Sequence, residues 1–135
     1  MVCGLGKFRY EKILVTFPSE LSLPEGVSLP EGVLYVDFQK EVFAQITKDF
    51  QLDENESQVP FNVWMENTIL SNPDRIHASF YRLDLGEEKV SNALKIEDAS
   101  MRSTLLAEQS IQRAVLKVLT RFNYALKNRL NSTKN

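Results

Sequence analysis

From Ser100 to Leu130 the chain contains neither glycine nor proline. Nothing in that stretch interrupts a helix, and Asp98 or Ser100 can cap its start. Roughly thirty residues of α-helix span about 45 Å at 1.5 Å per residue. A compact domain of 135 residues has a radius of gyration of about 14 Å. The helix is therefore expected to overhang its own domain or to break.

Residues were placed around this helix at 100° per residue. Ala114, Ala125, Val118, Ile111, Phe122, Val115, Leu126, Leu119, Leu130 and Leu116 then fill an apolar arc of about 200°. The opposite arc holds Arg102, Gln109, Ser110, Arg113, Lys117, Thr120, Arg121, Tyr124, Lys127 and Asn128, with no acidic residue. A surface helix needs an apolar stripe of only about 100°. The wide arc predicts burial on two sides, by the chain's own layers or by a second subunit. The same width argues against a helix lying free on a membrane surface. Ile111, Val115, Val118, Phe122 and Ala125 step by four and three, but too briefly for a coiled coil.

The formal net charge of −2 hides an asymmetry. Residues 1–101 carry 9 basic and 17 acidic side chains, whereas residues 102–135 carry 7 basic and a single acidic one, Glu108. That layout predicts either a binding surface or a basic segment folded back on an acidic body. Arg113, Lys117 and Arg121 form one cationic stripe with Tyr124 beside it, a pattern that can track phosphates. Against nucleic acid, the rest of the chain is acidic and the sequence pI is near 5.5. The stripe can equally dock on the acidic 49–56 loop of this or another chain.

Upstream, the β-branched and aromatic runs 8–17, 33–38 and 76–85 predict three strands. In the last run Leu83 and Leu85 fall out of phase with Ile76, Ala78 and Phe80, which a strand accommodates only with a bulge near Tyr81-Arg82. Val42, Phe43, Ile46 and Phe50 predict a helix over about 40–51 with Asp37 as a cap. Phe61, Trp64, Met65, Thr68 and Ile69 predict another over about 60–70, ending before Asn72-Pro73. Residues 87–94 suit a turn of helix. Ser22–Val27 is repeated at once as Ser28–Val33, an identical Ser-Leu-Pro-Glu-Gly-Val. Two such copies are too short to stack a core, so a duplicated surface loop is expected, with Pro at the second turn position and Gly supplying positive φ. The resulting expectation is an α+β domain over 1–135. It has a small antiparallel sheet of about three strands, two short helices and a long C-terminal helix across the sheet. A flexible 1–7, a loop at 18–32 and a frayed 131–135 complete it.

Chemistry-bearing residues are sparse. The lone Cys3 excludes an intrachain disulfide and suits a reducing compartment. Met1–Gly6 offers no secretory signal pattern and no apolar run approaches the roughly 18 residues of a membrane span, so a cytoplasmic location is expected. His77 is the only histidine and lies in the 76–85 run, away in sequence from Cys3. One His, one Cys and scattered carboxylates make no metal set, and Asp53, Glu54 and Glu56 lack a calcium-loop spacing. Gly4-Leu5-Gly6 is no phosphate loop. Trp64, Phe61 and Met65 at helical spacing read as core before they read as a pocket. No enzyme activity, cofactor or metal is expected. The expected function is protein–protein association, most simply as a homodimer through the C-terminal helix. Val118, Phe122, Leu126 and Leu130 supply apolar contacts, with Arg113, Lys117 and Arg121 as the polar rim. The alternative is nucleic-acid or acidic-partner binding by that basic face.

Overall fold

A computed structural model describes residue 23 and residues 25–134, with side chains as far as residue 129. In chain order these residues form α1 (Tyr35–Phe50), a 3-10 turn (Glu56–Gln58), α2 (Phe61–Ser71), α3 (Pro73–Leu83), α4 (Glu87–Leu94) and α5 (Ala99–Lys134). There is no strand among the described residues. The expected α+β fold is thus corrected to an all-helical one. The expected strand over 8–17, the flexible 1–7 segment and Cys3 lie outside the described residues.

The strand expected over 33–38 is the first turn of α1. Phe38, Val42, Ile46 and Phe50 recur every four residues and are completely buried, while Leu34, Tyr35 and Val36 stay exposed. Burying one helical stripe outweighs a β-preference that spans only about 1 kcal/mol per residue. Asp37 is no cap; it sits inside the first turn, where its charge favours the helix dipole. The strand expected over 76–85 is α3. Asn72 caps it by accepting from the Arg75 N–H at 3.2 Å, and Pro73 occupies the first helical position. Ile76, Ser79, Phe80 and Leu83 face inward at three- and four-residue steps. The phase break that demanded a bulge was the helical period itself. α2 stands where the spacing predicted it, and the expected turn of helix over 87–94 is the eight-residue α4.

α5 starts where expected: Asp98 caps it by accepting from the Met101 N–H at 2.9 Å. It runs 36 residues to Lys134, about 54 Å at 1.5 Å per residue. As far as Leu119 most of its wide apolar arc is covered within the chain, because α5 packs most extensively against both α1 and α2. Leu106, Ala107, Ile111, Ala114, Val115, Val118 and Leu119 are all buried there. At the other end of α1, Phe50 receives Phe61, Trp64 and Phe80 edge-on at centroid distances of 5.2, 5.7 and 5.9 Å.

The duplicated hexapeptides form two like turns. Val33 N–H donates to Pro30 C=O at 3.1 Å, so Pro30 opens the turn rather than taking its second position. Gly32 provides the left-handed φ of 86°, and Gly26 repeats it at 79°. Leu23, Leu29 and Val33 pack against the core.

Candidate functional site

The basic stripe is brought together as expected, and its setting is a cleft. α1, the last turn of α3 and α5 enclose about 650 Å³ lined by Gln45, Lys48, Asp49, Gln51, Arg82, Arg113, Lys117, Thr120 and Arg121. Gln45, Lys48 and Asp49 share a face of α1 because they are three and four residues apart. Arg113, Lys117 and Arg121 form the facing wall for the same reason.

Asp49 is the anchor of this cleft. Its carboxylate is 7% exposed and accepts from Gln45 Nε2 at 2.7 Å and from Lys117 Nζ at 3.2 Å. Lys117 also donates to the Arg82 carbonyl at 3.0 Å. Arg82 Nε donates to the Asp49 carbonyl at 2.7 Å, and its Nη2 to Ser79 Oγ at 3.2 Å. At the rim Arg113 pairs with Asp84 at 2.9 Å and Arg121 with Glu41 at 3.6 Å. Arg121 also donates to Gln45 Oε1. The basic segment has folded back on the acidic body, but its docking site is α1 and the α3 corner. Of the 49–56 stretch only Asp49 takes part. Arg113 Nε is buried without a hydrogen-bond partner.

A second concavity of about 790 Å³ lies in the corner of α3 and α4. Phe80, Val90 and Leu94 form its apolar floor; His77, Tyr81, Asp84, Glu87, Ser91 and Lys95 edge it. His77, Tyr81 and Asp84 recur every three or four residues along α3 and its cap, as Glu87, Ser91 and Leu94 do along α4. The result is a groove between two helical stripes. Tyr81 is 87% exposed. The groove includes the only histidine, on a helix rather than on the expected strand.

The predicted apolar contacts divide. Val118 is completely buried between helices and has no surface to give a partner. Phe122 is half-buried, with its ring 6.3 Å from that of Phe38. Leu126 is half-buried and Ala125 exposed. The side chain of Leu130 is outside the described set. Tyr124 is 67% exposed. Among the described side chains, buried positions on α5 end at Leu119, and the helix continues to Lys134.

Trp64 is core, stacked on Phe61 at 6.1 Å, and lines neither concavity. The 53–56 carboxylates serve structure. Asp53 and Glu56 exchange backbone-to-carboxylate bonds at 3.0 and 2.7 Å, a reciprocal capping arrangement. Glu56 then takes a two-bond pair from Arg75 at 2.6 and 2.8 Å and the Trp64 indole N–H at 3.3 Å. Among the described residues no three His, Cys, Asp or Glu side chains gather as a metal set, and no helix is long and apolar enough to cross a membrane.

Sequence reasoning offered Asp49 only within an acidic 49–56 loop, and missed Lys48 and Arg82 beside the stripe and the whole α3–α4 groove. Reading 76–85 as a strand turns Arg82 and Tyr81 to the wrong places, and the position of Lys48 depends on how α1 crosses α5. No known protein family, curated protein or solved structure matches this chain.

Proposed function

We propose that this chain is a protein–protein association module that pairs with a second copy of itself. The end of α5 docks in the α3–α4 groove of the other copy. One observation carries the reading: α5 runs on beyond Leu119, the last buried position among its described side chains, with Phe122 and Leu126 only half covered and Ala125 and Tyr124 exposed. Apolar surface of this kind is what association sites are made of. Phe122, Ala125 and Leu126 are the three- and four-residue anchors of a helix-in-groove contact.

Charge complementarity selects the second copy as occupant. Lys127 and Arg129 flank the free end, with no acidic residue beyond Glu108. The groove has an apolar floor and carries Glu87 on its edge, beside Asp84, which pairs with Arg113 of its own chain, and Lys95. Opposite charges on matching rims steer encounter and fix orientation. Mutual exchange of helix ends closes as a two-fold dimer, the commonest symmetry for such contacts. The acidic chain around Arg113, Lys117 and Arg121 argues against an extended phosphate-tracking face for nucleic acid.

Light scattering after gel filtration tests the reading. A concentration-dependent dimer is expected, weakened but not abolished by high salt, since its centre is apolar. Leu126→Asp should return it to monomer without loss of helix content. A wild-type monomer at every concentration overturns the proposal.

A further inference from the structure

The cleft between α1, α3 and α5 has no part in that docking. We propose that it is a binding site for a compact polyanion, a small molecule carrying two or more adjacent phosphate groups. Five cationic side chains, Lys48, Arg82, Arg113, Lys117 and Arg121, converge on a cavity of about 650 Å³ whose lining has one carboxylate, Asp49. Asp49 is nearly buried and is occupied by Lys117 and Gln45. It balances one of the five charges.

The remaining partners are weakly held. Asp84 is 77% exposed, as against 33% for Arg113, and the Arg121–Glu41 pair is about half exposed on both sides at 3.6 Å. Exposed pairs contribute about 0–1 kcal/mol, so a multiply charged ligand displaces them at little cost. Two features point to a guest. Arg113 Nε is buried with no acceptor, and Lys48 has no ion pair among the described residues. Three of the five cations are arginines, whose planar forks match phosphate oxygens in two-bond contacts. The cavity is within the size range of small-molecule sites, roughly 300–1,000 Å³. A nucleic acid would need an extended track, whereas the surrounding body is acidic.

Calorimetric titration with tripolyphosphate at constant ionic strength tests the assignment, with inorganic phosphate, citrate and a single-stranded oligonucleotide as comparison ligands. One-to-one saturable binding of tripolyphosphate is expected, at least tenfold tighter than that of phosphate or citrate. Lys48→Gln with Arg113→Gln should weaken it tenfold or more, while Lys89→Gln with Lys95→Gln should leave it unchanged. Matched circular dichroism spectra confirm that the variants fold. The proposal is overturned by absent binding, by equal loss in both variant pairs, by citrate binding as tightly as tripolyphosphate, or by an oligonucleotide that binds more tightly than tripolyphosphate. Monomeric protein that still binds tripolyphosphate would remove the dimer reading and leave this one standing.

Discussion

Glu56 shows how one side chain ties the chain together. Hydrogen bonds from Arg75 hold its carboxyl down from an ordinary value near 4.5 to about 2, helped by the Asp53 N–H and the Trp64 indole and opposed by partial burial. The same contact raises Arg75, whose guanidinium also lies 5.1 Å over the Trp64 ring and donates to the Phe50 and Gln51 carbonyls. Four segments thus meet at one ion pair. A carboxyl depressed on folding stabilises the native state above its unfolded pKa, and that contribution is lost as pH falls toward the folded value. Stability is therefore expected to fall between about pH 4.5 and 2 through this group. Glu56→Gln should cost about 2 kcal/mol at neutral pH and flatten that acid limb, as urea melts across pH would read. An unchanged acid limb in the variant would show that other carboxylates control it. Phe50 makes the apolar counterpart at the same corner, completely buried against three aromatic rings. Phe50→Leu is expected to cost about 1–3 kcal/mol by thermal melting, from lost edge contacts and a residual cavity.

Among the elements, the duplicated turn lends itself to a sharp test. The second copy places Leu29 and Val33 against the core, and the first places only Leu23 there, with Val27 40% exposed. Deleting 28–33 puts the first copy directly before Leu34, where its identical residues can take the places of Leu29 and Val33. The loss is then what Leu23 contributed, under about 1.5 kcal/mol. Gly32→Ala, by contrast, puts a Cβ where φ is 86° and should cost about 1–2 kcal/mol without any deletion. Chemical denaturation of the two variants compares them; a deletion that unfolds the chain would mean that the copies are not interchangeable. α2 and α5 were legible in the sequence because each repeats steps of three and four over more than two turns. α1 was legible only from residue 40 on, since Val33–Phe38 also satisfies a strand pattern and only the burial of Phe38 decides between them. α3 was misread because six of its residues alternate in polarity over a short window. The stronger local signal was Asn72-Pro73, which both ends α2 and caps α3. The cleft was half legible: the stripe on α5 is a matter of spacing, but its facing wall depends on how α1 crosses α5, which no single-helix pattern contains.

At the scale of the whole molecule, charge and length act together. α5 uses its first two thirds to complete a core, and then carries basic charge away from an acidic body. Electrostatics alone would fold such an end back, as Arg113, Lys117 and Arg121 do. Beyond Arg121 the described ion pairs stop. Lys127 and Arg129 are then free to meet Glu87 on the edge of a second copy's groove. If they do, the sign of charge at the two rims must matter more than the residues themselves. Glu87→Lys is expected to weaken the dimer about tenfold by placing like charges face to face, and Lys127→Glu alone to do the same. The two changes together restore opposite signs in every copy and should bring the dimer back to within about threefold of the wild type. Sedimentation equilibrium of the three variants reads this directly. Glu87 and Lys127 are exposed, so neither change threatens the fold. Losses that merely add in the double variant would place the end of α5 on some surface other than the α3–α4 groove, even if Leu126→Asp still abolished the dimer.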